Sequence, residues 1–374
     1  MLSTLGTLLG RAVWPRNTRA IVTSPRSLGD RCPTVSVIVP CYNYGHYLPQ
    51  CVQSILDQQG VGLDVVVIDD ASTDGSAEIV RGLPELDPRI RVICHATNQG
   101  HIATINEALT VGDGDYTVLL SADDLLTPGC LARSAALMEE YPSVGLAYGF
   151  PIVFSGAELP PARTVATRWL IWPGHNWLSN ICKTGRNVLR SPEAMVRTSI
   201  LRQLGQGSPE LPHSADFEFW MRAAAICDVG YVGGADQAYY RAHENNMHYS
   251  YGLLDDVTAR LGAFDAIFAE RAHLLPEASE LRCVAHRTMA RDALGHAIGA
   301  YARGAADSEP IADFAAFAVD TWPDIKNSSE WRTLCRLRDG KAGKSGRDLS
   351  LTARATARNL RYSVLWWRQR WTGV

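Results

Sequence analysis

Two adjacent carboxylates, Asp123 and Asp124, follow directly on an uncharged apolar run, Tyr116–Leu120. Like charges repel, and each carboxylate resists burial unless something compensates it. A divalent cation, Mg²⁺ or Mn²⁺, held by the pair would supply that compensation and would link it to a diphosphate that bare carboxylates could not touch. A solvated pair capping a helix would fit the same residues. Three other apolar runs also end in polar residues: Tyr42-Asn43 after VSVIVP, Asp69-Asp70 at the close of LDVVVIDD, and Asn98-Gln99 after RIRVICH.

Those runs have the length and β-branched content of buried strands, and amphipathic segments separate them. Leu48, Cys51, Val52, Ile55 and Leu56 recur at helical spacing, STDGSAEIV reads as a turn into a helix, and GHIATINEALTV as another. Thr127 with Pro128 predicts an N-cap and first helical position for a helix ending near Tyr141. Strand–helix alternation at these intervals predicts an α/β fold with a Rossmann-like, mostly parallel sheet between helices. Such sheets bind ligands at the carboxyl ends of their strands, where all four polar pairs fall. Residues 167–196, rich in Trp, Gly and Asn, read as an irregular cleft lining, and 212–233 as a helix start followed by a strand. The chain divides into an N-terminal extension (1–33), an α/β domain (34–250), a helical region (251–338) and a basic tail (339–374).

The 374 residues carry a net charge of −3, with 46% hydrophobic and 20% charged residues, an ordinary balance for a chain with a real core. From Arg332 onward eleven Lys or Arg face only Asp339 and Asp348, which leaves the first 331 residues at −12. Nothing global suggests a nucleic-acid partner. The nine cysteines are scattered without a C-x-x-C pair and read as small buried hydrophobes in a reducing compartment. No apolar run is long enough to span a membrane, and MLSTLGTLLG lacks the basic flank of a signal peptide. The expected location is the cytoplasm, with peripheral attachment at the inner face of the membrane as an option. No Walker loop and no G-x-G-x-x-G follows the first strand, which disfavours a P-loop or ordinary dinucleotide site.

The segments VSVIVPCYNYGHYLPQCVQSILDQ, VVVIDDASTDGS, NQGHIATINEAL, YTVLLSADDLLTPG, GSPELPHSADFEFWMRAA and AYYRAHENNMH, in this order over residues 34–250, resemble family 2 glycosyltransferases of the GT-A fold. The resemblance implies an inverting transferase that moves a single sugar from a nucleotide-diphosphate sugar to a hydroxyl of a glycan or glycolipid in bacterial envelope or polysaccharide synthesis. It places Pro40, Tyr42 and Asn43 under the nucleotide, Asp70 with Asp69 at the base, and Asn98 and Gly100 beside the ribose and diphosphate. Asp123 matches the last Asp of the family's D-x-D metal motif; Ser121 stands where the first often does, leaving the metal to Asp123, Asp124 and water. Asp216 matches the catalytic base, with Ala215 in place of an acidic neighbour. His243 matches a histidine that completes the metal site in some relatives, while Arg241 is an alternative contact for the diphosphate. Trp220 and Arg222 fit a packed helix face.

In the tail, Leu360, Val364, Trp367 and Trp371 form one helical stripe flanked by Arg354, Arg358, Arg361 and Arg368. This suits either an anionic membrane surface or packing on the catalytic domain. QRW at 369–371 lacks the spacing of the Q-x-x-R-W element of processive synthases, which favours single addition. Two other readings stand beside this one. A nucleotidyltransferase would show a basic, Gly-rich loop after the first strand, and CYNYGHYL has neither Lys nor Arg. A non-catalytic nucleotide-sugar or glycolipid binding protein on the same fold would not need Asp216.

Overall fold

Val35, Ser36, Val37, Ile38 and Val39 are all buried in strand β2 (Thr34–Cys41), as expected of a strand covered on both faces. In this computed structural model, which describes residues 20–207, 209–244, 246, 251–275, 277–307, 309–339 and 364–374, alternate residues of β2 point into different layers. Val35, Val37 and Val39 join a core with Leu48, Cys51 and Ile55 of helix α1 (Leu48–Leu56). Ile38 packs with Val66, Ile68 and Ala108, the last on helix α3 (His101–Val111). The stiff β-branched side chains suit this pleated, doubly covered surface.

Parallel pairing joins β2 to β3 (Gly62–Asp69) and to β5 (Tyr116–Leu119), and β3 to β4 (Ile90–Cys94). Helix α2 (Ser76–Leu86) connects β3 to β4. Beyond β5 the sheet continues through a short antiparallel insert, β9 (Met195–Arg197), to β7 (Val144–Phe154). β10 (Asp228–Arg241) runs parallel to β7, and β8 (Arg168–Trp172) and β1 (Ile21–Thr23) close that edge in antiparallel pairing. Short β6 (Leu125–Leu126) also pairs with β10, so the order is β1-β8-β10-β7-β9-β5-β2-β3-β4. Most of the paired length is parallel, as the alternation predicted. The extension 1–33 supplies β1; residues 1–19 lie outside the described residues.

Two local expectations are corrected. Helix α4 spans Cys130–Glu140 and is preceded by Gly129 in a left-handed conformation, φ 72°. Thr127 does not cap it: its hydroxyl donates to Asp236 O at 2.6 Å, drawn to β10 instead. Residues 167–196 are more regular than expected, holding all of β8, helix α5 (Gly174–Thr184) and the start of β9.

Helix α5 packs against α7 (Ala215–Ile226), and the contact leaves room for no side chain at Gly174. A Cβ there would lie 2.0 Å from Ala224 O and 2.2 Å from Cys227 O. Both obstacles are main chain and cannot rotate away. Gly174→Ala should therefore lower stability by an amount at the upper end of the ~1–3 kcal/mol typical of overpacking. An unchanged urea midpoint would contradict this packing.

Helices α6 (Thr198–Leu204), α8 (Leu253–Glu270), α9 (Ala278–Arg303), α10 (Ile311–Thr321) and α11 (Ser329–Arg338) complete the described helical layer, with α9 touching α8, α10 and α11. A last helix, α12 (364–372), lies against the sheet. Trp172 Nε1 donates to Thr372 O at 2.9 Å, Tyr231 Oη to Arg370 O at 3.0 Å, and Tyr148 Oη to Gly373 O. The described end of the tail thus packs on the catalytic domain. Val364, Trp367 and Trp371 nevertheless stay exposed, at 43%, 56% and 54%. Leu360, Arg354, Arg358 and Arg361 lie outside the described residues.

Candidate active site

The carboxyl ends of β2, β3 and β5 and the loop after β4 open onto one cleft of about 780 Å³. It is lined by Pro40, Tyr42, Asn43, Asp70, Asn98, Gly100, Asp123 and Asp124, and its far wall carries Asp216. The loops are tied together by the side chains that sequence reading singled out. Asn43, at φ 59°, receives Thr73 N on its Oδ1 at 2.8 Å, while its own N–H donates to Ser72 Oγ at 2.9 Å. A short amide side chain tolerates the left-handed conformation, which explains an Asn in this turn.

Asp70 takes bonds from Gln99 N at 2.8 Å and Gly100 N at 3.0 Å, and contacts His95 Nδ1 at 2.7 Å. Burial pushes its carboxyl up, but these bonds outweigh burial and hold it below the usual carboxylate range. The other ring nitrogen of His95 meets Glu107 Oε2 at 2.6 Å. Burial disfavours the imidazolium, yet the two carboxylates prevail and raise the His95 pKa. Asp69 sits differently: it is 1% exposed, its Oδ2 accepts from Ser72 N at 3.3 Å, and it does not line the cleft.

Asp123 and Asp124 are both buried, yet their surroundings separate them. Asp123 Oδ2 lies 2.9 Å from His243 Nε2, and the imidazole stacks on Tyr47 with ring centroids 5.5 Å apart. Asp124 Oδ1 instead accepts from Arg241 N at 2.9 Å. Burial, then the charge of Asp123, drives the Asp124 carboxyl well above its ordinary range. Arg241 is itself buried: Nε donates to Asp123 O at 2.9 Å and Nη2 to Gln50 Oε1 at 2.7 Å, with Tyr47 and Phe154 against its guanidinium. It is spent on holding the strand end and does not line the cleft.

Asp216 stands in the first turn of α7. Its Oδ2 accepts from Asn187 Nδ2 at 2.9 Å and its Oδ1 from Phe217 N at 2.7 Å. Burial raises its pKa despite both bonds. Nearby, Glu193 is 3% exposed with Oε1 on Arg190 N at 2.7 Å, and burial pushes its carboxyl up to about 7. Sequence reading passed over Asn187, Glu193, His95 and Glu107. Their residue types carry no pattern, and only the fold brings them to the carboxylates. Trp220 lines the cleft, whereas Arg222 is buried against Glu218, so the packed-face reading suits Arg222 better.

Residues 36–204 match the family model Glycosyl transferase family 2. The chain carries a family 2 glycosyltransferase domain. An uncharacterized glycosyltransferase of Haemophilus influenzae is 25% identical over 62% of this chain and 72% of its own length. The putative teichuronic acid biosynthesis glycosyltransferase TuaG of Bacillus subtilis is 35% identical, over 29% of this chain and 43% of TuaG. Among solved structures, S. aureus TarS in complex with UDP-GlcNAc superposes with a TM-score of 0.57 at 20% identity, covering 82% of this chain and 87% of that one. The GT-A fold expected of the glycosyltransferase is therefore the fold observed. None of its described helices is long and apolar enough to cross a membrane.

Proposed function

We propose that the glycosyltransferase is inverting and transfers a single sugar from a nucleotide-diphosphate sugar to a hydroxyl of an envelope glycan or glycolipid. The observation that carries this reading is Asp216 facing, across one cleft, the strand-end carboxylates Asp70 and Asp123. Pro40, Tyr42, Asn43, Asn98 and Gly100 border the nucleotide, and Asp70 reads the base, while Asp69 supports that turn from behind. The acceptor oxygen attacks the anomeric carbon as the bond from that carbon to the diphosphate oxygen breaks. Asp216 takes the acceptor hydroxyl proton, and the electron pair leaves with the nucleoside diphosphate. A carboxyl with a raised pKa is a better base than an exposed one, and Asn187 fixes its orientation. The similarity to TuaG, a putative teichuronic acid biosynthesis glycosyltransferase, supports the envelope assignment.

A divalent cation, Mg²⁺ or Mn²⁺, fits Asp123 and His243. Their facing donor atoms lie in contact, 2.9 Å apart, and no cluster of three or more His, Cys, Asp or Glu stands among the described residues, so the diphosphate and water would supply the remaining ligands. Asp124, tied to Arg241 N, stands behind them as a second carboxylate. Bound there, the ion would neutralise the diphosphate as it leaves. The exposed Val364, Trp367 and Trp371 favour peripheral contact with a membrane surface.

The test is a thermal-shift panel of UDP, GDP, dTDP and CDP with and without Mn²⁺, on the wild type and Asp123→Ala. A ligand at a hundred times its Kd adds about 2.7 kcal/mol of stability. One nucleotide should raise Tm in a Mn²⁺-dependent manner, and Asp123→Ala should remove the Mn²⁺-dependent part. No shift with any nucleotide would sink the transferase reading in favour of a protein that binds only the acceptor.

A further inference from the structure

A second cavity of about 380 Å³ meets the first at Asp216. The two share Arg190, His213, Asp216 and Tyr240, and otherwise differ in every residue. The second holds none of the strand-end residues assigned above to the nucleotide. Its walls come from the end of β7, from the loop after α5, and from α12, through Trp366 and Gln369. Gln369 Nε2 donates to Val188 O at 2.6 Å, one residue from the Asn187 that orients Asp216. The tail helix is thereby fastened to the segment that holds the proposed base.

The chemistry of this cavity is aromatic and cationic. Phe150, Tyr240 and Trp366 supply its aromatic lining. Arg190 lies with its guanidinium 4.9 Å from the Tyr240 ring and makes no ion pair among the described residues. Arg186 lines the same wall, and Arg370 sits over Phe150 at 5.1 Å and over Trp366 at 5.4 Å. Two acids line it, Asp216 and Asp256, and they are accounted for differently. Asp256 is balanced by Arg260 at 2.7 Å and His213 at 3.3 Å, while Arg260 also reaches Asp292 at 2.8 Å. Asp216 is the group the acceptor must reach. A hydroxyl presented to Asp216 from this cavity would therefore carry a sugar ring against Trp366 and Tyr240, and an anionic group against Arg190 and Arg186.

We infer that the α12 cavity is the acceptor subsite and that the acceptor is a glycan bearing an oxyanion, a phosphate diester or a carboxylate, beside the hydroxyl that is glycosylated. This rests on the transferase reading above, and the experiment separates the two. Three oligomers of equal length serve as probes: a glycerol phosphate oligomer, a hyaluronan oligosaccharide and a neutral malto-oligosaccharide, each titrated calorimetrically into the full chain at low and high salt.

At least one anionic oligomer should bind, more weakly at high salt, and more tightly than the neutral one by tenfold or more. Which anionic oligomer binds distinguishes phosphate from carboxylate. Trp366→Ala and Arg190→Gln should each weaken that binding about tenfold while the Mn²⁺-dependent nucleotide shift is retained. Trp367→Ala, on the exposed side of α12, should leave both unchanged. Equal binding of neutral and anionic oligomers, or binding of none, overturns the inference. So does loss of the nucleotide shift in Arg190→Gln, which would give Arg190 to the donor diphosphate. A wild type without a nucleotide shift that still binds an anionic oligomer through Trp366 would sink the transferase reading and keep this subsite.

Discussion

Asp216→Asn is expected to lower kcat by about 10²–10⁴-fold, the usual contribution of a positioned general base. The substitution keeps the shape of the side chain and leaves one oxygen to accept from Asn187 or Phe217 N. Folding and donor binding should survive, so the Mn²⁺-dependent thermal shift should match the wild type while turnover is lost. The pH profile of the wild type carries the same assignment. Burial raises the Asp216 pKa, so the carboxyl is protonated, and the base lost, as pH falls through that raised value. The acid limb of kcat should therefore lie above the pH range of an ordinary aspartate and should vanish in Asp216→Asn. The sign for stability is opposite to that of a salt-bridged acid. A carboxyl whose pKa is higher folded than unfolded binds protons more readily in the native state, so this residue stabilises the fold at low pH and weighs against it above the raised pKa. Removing the charge should leave Tm at neutral pH equal or slightly higher. Retained turnover would point to another base.

Glu218→Ala is expected to lower stability by ~3–5 kcal/mol, because it strands a buried cation. Arg222 is 4% exposed and Glu218 3%, with Arg222 Nε 2.8 Å from Glu218 Oε1. The guanidinium also donates from Nη1 to Leu204 O at 2.6 Å, at the end of α6, and lies 5.5 Å from the centre of the Phe219 ring. The pair thus pins α7, the helix that presents Asp216, to α6. The double variant Glu218→Met/Arg222→Met should recover most of the loss, since an apolar pair of similar volume needs no desolvated charge. Urea midpoints of the three proteins decide the matter. A loss below about 1 kcal/mol in the single variant would mean that water reaches Arg222.

The parallel core of the sheet was legible because its strands are buried on both faces, and that environment writes itself into the chain as unbroken β-branched runs such as Val35–Val39 and Val65–Ile68. The strand ends were legible for a related reason: polar pairs directly after such runs have little packing purpose. What stayed hidden depends on partners distant in sequence. Asn187 becomes the support of Asp216 only when α5 docks on α7, and His95 joins Asp70 to Glu107 only once β4 lies beside β3. The different fates of Asp123 and Asp124 follow from Arg241, more than a hundred residues later, whose main-chain N–H selects one of them. Thr127 failed as a cap for the same reason, its hydroxyl being claimed by β10. Local pattern reports which groups are polar, and the fold decides which of them are used.

The anchoring of α12 also says something about the order in which this molecule assembles. Its contacts with Tyr231, Trp172 and Tyr148 join residues 139, 200 and 225 positions apart. Closing a loop of that size costs about 4 kcal/mol of chain entropy, and nothing repays it until strands β7, β8 and β10 are in place to receive the helix. The nucleotide side of the cleft depends on strands close to one another in the chain and can form first. A nascent or partly unfolded molecule would then hold its donor before it possessed a wall for its acceptor. Amide exchange in the 364–372 helix should be faster than in β2 and β3, and should slow when an acceptor occupies the cavity it closes.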